Sequence, residues 1–369
     1  MTKYEETIEL LKTLAAIPAP SHHEEKRAAF CLEWFKKNGG ENAYIDEALN
    51  VILPIGCEGC NEITVIEAHT DVVFPDTEPF EVIDDGEKLH CPGIGDDTAN
   101  LVVMMMTARD ILAEKKDIKG LMFVCNSCEE GLGNLKGTKQ IFKDFEGRIA
   151  RFVSFDSSCM NRIVDCAVGS ERFKVTARTE GGHSFGKFGN RNAIEVLAQI
   201  ICDIYAVEVP KKEGKKTTYN VGEICGGTSV NTIAQEASML IEFRSDDEDG
   251  YNFMKAEFDR IFEKAKSADD AEIEIELIGK RPSGKENIKG IDELMKITAD
   301  TIRDVVKLEP SYGSSSTDCN IPLSLGIPAV CFGVGGIHAG SHTREEWVDK
   351  ESLKLGLELC IEYVHRLTR

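Results

Sequence analysis

The stretch VIEAHTDVVF, residues 65–74, decides the fold, because an apolar run of strand-forming residues is interrupted by His69, Thr70 and Asp71 just where it ends. Such a run is typical of a buried strand in an open α/β sheet, which binds ligands at the carboxyl ends of its strands. Alternate residues of an extended segment share a face, so His69 and Asp71 point to the same side. This spacing suits a metal-binding imidazole oriented by a carboxylate, and it also suits a strand end with two solvated polar residues.

The length and composition limit the class of protein. A chain of 369 residues fits two domains, and 42% hydrophobic with 29% charged residues is a globular composition without a membrane-spanning run. The net charge of −21 would repel phosphate backbones and anionic membranes, so we expect small molecules or peptides as partners and neither nucleic acid nor membrane. The N-terminal segment lacks the features of a signal peptide, and several of the 13 cysteines lie in apolar runs, so we expect a cytoplasmic protein with reduced thiols.

The first half of the chain alternates strand and helix patterns. Helices are predicted over about 3–16 and 22–38, with Ser21 as the expected cap of the second. Further on, the predicted strands are 51–55, 62–68, 120–126 and 151–155, and the predicted helices are 98–114 and 134–143. This alternation indicates an α/β fold with a mostly parallel sheet flanked by helices.

After residue 168 the pattern changes to long amphipathic strands with helices near 190–206 and 248–267. This pattern indicates antiparallel strands with helices on one face, an α+β arrangement. From about residue 290 the alternation of helix and strand patterns returns. We therefore predict one α/β domain of residues 1–168 and 283–369, with an α+β domain of residues 169–282 inserted into it.

Two CxxC pairs, Cys57 with Cys60 and Cys125 with Cys128, raise the alternative of a structural zinc site. The 64 residues between the pairs carry a strand, a loop and a long helix, so the usual short spacing is missing. We do not favour this site.

Acids and histidines follow other predicted strands or glycine turns. Asp96 and Asp97 follow the turn in PGIGDDTAN, which lacks the third glycine of a dinucleotide-binding motif. Each site by itself is compatible with a helix cap or a solvated turn. The remaining candidates are Glu129, Glu130, Asp156, His338 and His342.

These residues form a set of nitrogen and oxygen ligands without a thiolate. Such a set suits zinc, cobalt or manganese, and a bridging acid would let five residues hold two ions with open positions for water or substrate. The five residues are His69, Asp96, Glu130, Asp156 and His342.

Five motifs, HTD, GDDTAN, EEG, FDSS and SHTREEW, resemble in order those of the M20 metallopeptidases, a family with peptidase T, dipeptidases, carboxypeptidases and N-acyl-amino-acid hydrolases. The resemblance covers essentially the whole chain. It implies that Asp71 orients the metal ligand His69, that Asp96 bridges two metals, and that Glu129 is the general base. It also implies that the remaining ligands are Glu130, Asp156 and His342, and His338 competes with His342 for the last position.

The inserted segment also resembles the family's lid and dimerisation domain. The resemblance implies that His183, in GGHSFGKFG, reaches the substrate of the partner subunit in a homodimer, and that Asn231 and Arg244 face the substrate. Alternatively, Asn231 could cap a turn and Arg244 could pair with a nearby acid.

The resemblance predicts hydrolysis of amide bonds in short peptides with two divalent ions, zinc being expected and cobalt or manganese being alternatives. An Asp at position 156 indicates an aminopeptidase, dipeptidase or tripeptidase, whereas acylases and carboxypeptidases of this fold tend to carry Glu. An N-acyl-amino-acid amidohydrolase, a carboxypeptidase and a non-catalytic metal-binding homologue are the alternatives. Thr98 and Asn100 depart from the family's usual lysine and glycine, so the geometry of the helix entry after Asp96 is open.

Overall fold

A computed structural model describes residues 1–267 and 271–368. The helices are α1 (Lys3–Ala15), α2 (Glu25–Lys37), α3 (Asn100–Ala113), α4 (Lys136–Asp144), α5 (Ala193–Tyr205), α6 (Glu248–Lys266), α7 (Ile291–Val306), α8 (Asn320–Leu325) and α9 (Ser352–Leu367). The strands are β1 (Tyr44–Ile45), β2 (Val51–Ile55), β3 (Ile63–His69), β4 (Ile83–Asp84), β5 (Lys88–His90), β6 (Leu121–Asn126), β7 (Ile149–Ser154), β8 (Arg162–Ala167), β9 (Gly169–Arg178), β10 (Gly182–His183), β11 (Thr217–Gly226), β12 (Thr232–Ile233), β13 (Glu236–Ser245), β14 (Glu272–Arg281), β15 (Ser311–Ser315), β16 (Ala329–Cys331), β17 (His338–Ala339) and β18 (Trp347–Asp349).

The chain divides into two compact units, Met1–Ala167 with Lys285–Arg369, and Val168–Gly284. The first unit contains a mixed sheet in the order β1-β2-β6-β3-β7-β16-β8-β15. Within it, β6, β3, β7 and β16 are parallel neighbours. The predicted α/β fold with a mostly parallel sheet flanked by helices is confirmed.

The central strands of this sheet are buried on both faces. Ile66 and Ala68 of β3 pack into the larger core with helices α1, α3 and α9. Val65 packs into a smaller core that contains Leu323 of α8 and the preceding Cys319. Parallel strands covered on both faces are apolar almost throughout, which is why residues 63–68 form such a run. A polar residue on one of these strands therefore needs a specific partner.

The parallel order places several chain segments at one edge. Strands β6, β3, β7 and β16 all run the same way, so the segments that follow their last residues leave the sheet at the same side. These segments carry the polar residues identified in the sequence. The fold thus explains why residues far apart in the chain converge.

The second unit has an antiparallel sheet in the order β11-β13-β9-β14. Strand β13 alternates buried and more exposed residues along its length, and its buried face packs against α5 and α6. Phe243 and Phe258 form one of the ring contacts in that core, with centroids 5.1 Å apart. A role of this unit as a lid and dimerisation domain stays a prediction.

Over residues 1–267 and 271–368, no helix combines the length and apolar character needed to span a membrane.

Candidate metal centre

His69 is the last residue of β3 and is 1% exposed. Its Nδ1 lies 3.0 Å from the backbone oxygen of Asp71, and its Nε2 lies 3.2 Å from Oδ1 of Asp96. Because a carbonyl oxygen only accepts hydrogen bonds, Nδ1 carries the proton in the neutral ring and Nε2 is left with its lone pair. The imidazole is thus oriented to bind a cation through Nε2.

Asp71 connects His69 to the two acids after β6. Its carboxylate accepts the backbone N–H groups of Glu129 and Glu130, at 2.9 and 3.0 Å, and the hydroxyl of Ser21 at 2.6 Å. Burial raises the pKa of Asp71, but the imidazole of His69, whose Nδ1 lies 3.5 Å from Oδ1 of Asp71, and the hydroxyl of Ser21 outweigh this effect and hold that pKa below its usual value. Asp71 therefore remains a carboxylate that positions three groups.

This contact corrects the expected role of Ser21. Helix α2 begins at Glu25 without a side-chain hydrogen bond at its N-cap, and the Ser21 hydroxyl donates to Asp71 instead. The buried carboxylate offers a charge-assisted hydrogen bond, which is stronger than a bond at a helix end.

Asp96 lies in the turn before α3, and a cis peptide bond joins it to Asp97. Glu346 holds this turn: its two carboxylate oxygens accept the backbone N–H groups of Gly93, Gly95 and Asp96 at 2.7–2.8 Å. Burial raises the pKa of Glu346 to about 7. Glu346 thus fixes the backbone from which the Asp96 side chain projects.

Asp97 is also close to the centre. Ligand atoms of His69, Asp97 and Asp156 lie within 4.8 Å of one another. However, Oδ2 of Asp97 accepts the backbone N–H of His69 at 2.9 Å, and Oδ1 accepts from Asn100 at 2.7 Å. We therefore assign Asp97 a positioning role and keep Asp96 as the candidate ligand.

Thr98 and Asn100, which replace the lysine and glycine that are usual in the family, form hydrogen bonds that define the start of α3. The hydroxyl of Thr98 donates to the Gly93 oxygen at 2.5 Å and accepts from Arg27 at 3.1 Å. The Asn100 Oδ1 accepts the backbone N–H groups of Val334 and Gly335 at 2.7 and 2.5 Å. Asn100 thus links the start of α3 to the segment after β16.

His342 faces the same carboxylates from the loop before β18. Its Nε2 lies 3.0 Å from Oε1 of Glu130 and 3.4 Å from Oδ2 of Asp96. These two contacts raise the pKa of His342 to about 10, and burial raises the pKa of Glu130 to about 7. His338 is different: its Nε2 lies 3.2 Å from the Ser157 oxygen, and burial lowers its pKa. The geometry therefore favours His342 as the candidate ligand.

Asp156 and Glu129 complete the cluster. Asp156 follows β7, and its pKa is raised well above the usual value by burial and by the charge of Asp96. Glu129 is 4% exposed, and its charge acts on both Asp156 and Glu130. The centre thus holds more buried carboxylates than its two imidazoles can balance, which is the condition that divalent cations relieve.

The other three candidates lie in the second unit. His183 in β10 pairs with Thr232 in β12, and the backbone N–H of Ser184 donates to the Asn231 oxygen at 2.9 Å, so His183 and Asn231 are neighbours. Arg244 lies on β13 and forms the considered ion pair with an acid, donating to Glu242 at 2.8 and 3.1 Å. The roles of these three residues toward substrate stay predictions.

The four CxxC thiols do not form a zinc site. Cys57 belongs to the smaller core and donates to the Leu121 oxygen at 3.1 Å, whereas Cys125 belongs to the larger core on the other face of the sheet. Among the described residues, the groups with ligand spacing contain His, Asp and Glu and no Cys.

The mixed sheet with its flanking helices and the antiparallel second unit have the fold of solved peptidase structures. The chain belongs to the Peptidase family M20/M25/M40, whose sequence model matches residues 65–366.

The fold is shared with solved structures at low identity. A tripeptidase from Staphylococcus aureus superposes with a TM-score of 0.79 at 22% identity, covering 98% of this chain and 97% of that one. The aminopeptidase PepT from Bacillus cereus gives a TM-score of 0.74 at 20% identity, covering 99% of each chain.

Curated relatives match over shorter stretches. A Peptidase M20 domain-containing protein of Schizosaccharomyces pombe is 27% identical over 50% of this chain, and the cytosol non-specific dipeptidase of Escherichia coli is 25% identical over 64%. The chain spans only 45% and 53% of the length of these two relatives.

Proposed function

We propose that this protein is a dinuclear metal-dependent hydrolase of amide bonds in short peptides, acting as an aminopeptidase, dipeptidase or tripeptidase. One observation carries the proposal: Asp96 directs Oδ1 to His69 Nε2 at 3.2 Å and Oδ2 to His342 Nε2 at 3.4 Å. A carboxylate that faces two imidazoles with separate oxygens would be able to bind one ion through each oxygen. Membership of a peptidase family supports the same reaction class.

The donor set fits two such ions. His69 and Asp156 would hold one, Glu130 and His342 would hold the other, and Asp96 would be shared. Imidazole and carboxylate ligands without a thiolate suit zinc, with cobalt or manganese as alternatives. When bound, the two ions would lower the pKa of a water molecule to about 7 and polarise the scissile carbonyl.

Glu129 supplies the proton transfer in this proposal. Its backbone is held by Asp71 at 2.9 Å, and its side chain is buried beside Glu130 and Asp156. The carboxylate takes the proton of the attacking water and returns it to the leaving nitrogen, which is the task of a general base that becomes a general acid.

His183 is proposed to act on the substrate of a partner subunit. Its Nδ1 accepts the backbone N–H groups of Phe185 and Gly186 at 3.3 and 3.2 Å, so in the neutral ring the proton is on Nε2. That N–H can donate to a developing oxyanion. Phe185 and Phe188 beside it are 89% and 92% exposed, which supports a homodimer through the inserted unit. Gel filtration followed by light scattering measures the number of subunits.

The substrate and location are part of the proposal. The Asp at position 156 favours peptides with a free amino terminus, and Asn231 and Arg244 would contact the peptide. All 13 cysteines are unpaired, which agrees with a cytoplasmic location.

The test is a peptide panel. Metal-stripped protein is reloaded with zinc, cobalt or manganese and given di- and tripeptides with free or acetylated amino termini. We expect cleavage of free-amine peptides only. Cleavage of acetylated substrates alone would identify an acylase, and a metal-loaded protein that cleaves none would be a non-catalytic homologue.

A further inference from the structure

Buried oxygen atoms without partners lie on the sheet behind the metal centre. Glu67 of β3 is 1% exposed, and among the described residues neither of its carboxylate oxygens forms a hydrogen bond of normal geometry. The hydroxyl of Ser154, opposite Glu67 on β7, is a nearby donor. Asn126, the last residue of β6, is also 1% exposed. Its Nδ2 donates to Oδ2 of Asp318 at 2.6 Å, while its Oδ1 has no partner in the described chain.

The strand register places these side chains on one face of the sheet. In the parallel pairing of β3 and β6, Glu67 lies opposite Val124 and His69 lies opposite Asn126. Paired residues and residues two apart point to the same side, so Glu67 and Asn126 are diagonal neighbours on the face that packs toward α8. Asp318 lies just before α8 and directly precedes Cys319, which belongs to the core on this same face of the sheet.

Asp318 is held in place by hydrogen bonds. Its Oδ1 accepts the hydroxyl of Thr138 from α4, and its Oδ2 accepts the Asn126 amide. The Asn126 orientation follows from this contact, because the carboxylate only accepts and the nitrogen must face it. Asn126 Oδ1 is thereby left as an acceptor beside two carboxylates.

The chemistry of this group favours the binding of a cation. The oxygens without partners are all acceptors, and within the described residues no Lys or Arg is paired with Glu67. Water can satisfy these acceptors, but only a proton or a cation neutralises the charge of the buried Glu67 carboxylate. Buried carboxylates are normally paired with a cation or coordinate a metal ion.

We propose that Glu67, Asp318 and Asn126 bind a hard divalent cation, Mg²⁺ or Ca²⁺, at a structural site separate from the catalytic pair. Carboxylate and amide oxygens are the ligands that these ions prefer, and two carboxylates balance a charge of +2. The ion joins β3, β6 and the segment before α8. It therefore stabilises the fold, and its binding does not depend on the peptidase activity.

The test uses zinc-loaded protein, so that the catalytic ligands are occupied. The protein is titrated with MgCl₂ or CaCl₂, with NaCl and KCl at matched ionic strength, and bound ions are counted by elemental analysis after gel filtration. We expect one bound Mg²⁺ or Ca²⁺ per chain in addition to zinc. We also expect the melting temperature to rise by about 5 °C at a concentration about a hundred times Kd.

Glu67→Gln keeps the shape of the side chain and removes its charge. This variant should keep its zinc, lose the additional ion and lose the melting shift, whereas Glu58→Gln, at an exposed position, should behave as the unmodified protein. Asp318→Asn should repeat the loss. The proposal would be overturned if the unmodified protein bound no additional ion, or if NaCl or KCl raised its melting temperature as much as MgCl₂ or CaCl₂. Both measurements use the unmodified protein, so they can be made even if a variant fails to fold.

Discussion

Asp71 shows how one buried side chain sets the positions of several others. It is fully buried, and it accepts hydrogen bonds from Ser21 and from the backbone of Glu129 and Glu130. Both acids are therefore fixed through their own peptide groups, independently of the contacts that their side chains make. A carboxylate that accepts only from neutral donors and an imidazole keeps its charge in the interior.

Glu129→Gln tests the proposed general base. The amide cannot accept the proton of the attacking water, so we expect kcat to fall by about 100- to 10,000-fold while zinc content is unchanged. Steady-state kinetics and elemental analysis measure the two quantities. Glu146→Gln, at an exposed position on the same unit, is the control, and near-normal turnover in Glu129→Gln would remove Glu129 from the reaction.

Glu346→Gln tests whether the buried carboxylate positions Asp96. The amide group would place N–H donors against the N–H groups of Gly93 or Gly95, so the turn should shift. We expect zinc affinity to weaken by about 10- to 100-fold, measured by chelator competition. The neighbouring Glu345 is exposed, so Glu345→Gln is a matched control, and equal affinities in both variants would contradict this role.

The sequence indicates the candidate metal ligands more clearly than the residues that hold those ligands in position. His69 and Asp96 stand at the end of an apolar run or after a glycine turn, which marks them. Glu346 follows another acid in TREEW and resembles a solvated residue, because its partners lie some 250 positions earlier. Ser21 was misread as a helix cap because the competing Asp71 carboxylate is distant in the chain.

At the scale of elements, the side-chain amide of Asn100 connects α3 to the segment after β16. Asn100→Ala would leave the buried N–H groups of Val334 and Gly335 without their acceptor. We expect the free energy of unfolding to fall by about 2–4 kcal/mol. Urea denaturation measures it, with the exposed Asn252→Ala as the control, and a change as small as in that control would show that another acceptor replaces Asn100.

The short ribbon of β10 and β12 carries His183. His183→Ala removes one donor to the developing oxyanion, so we expect kcat to fall by about 100- to 1,000-fold with unchanged zinc content. Mixing His183→Ala with Glu129→Gln tests the partner relation, because one site of the mixed dimer would then contain both intact residues. Failure of the mixture to regain activity would argue against action across subunits.

The long periodic elements were predictable, and the short polar ones were not. Helix α6 covers Glu248–Lys266 where 248–267 was predicted, because its apolar face repeats over several turns. Strand β15, Ser311–Ser315, was not predicted, because SYGSS has neither alternation nor an apolar run. It is a strand through its pairing with β8.

For the whole molecule, metal binding should depend on pH through His342 and Glu130. In the metal-free protein their pKa values are about 10 and about 7, so below pH 7 both carry a proton that an ion must displace. We expect zinc binding to release more protons at pH 6 than at pH 8, and affinity to fall steeply below pH 7. Calorimetry in buffers of different ionisation enthalpy counts these protons, and equal counts at both pH values would contradict the prediction.

The sheet order has a consequence for biosynthesis. The parallel neighbours β6, β3 and β7 all come from residues before 155, whereas β16, which pairs with the open side of β7, is made only after residues 155–328. A ribosome-attached chain therefore presents His69, Asp96 and Asp156 long before His342 has been translated. With the ligands proposed above, all residues for one ion position would be translated before the last ligand of the other, and a chain released early would lack that ligand.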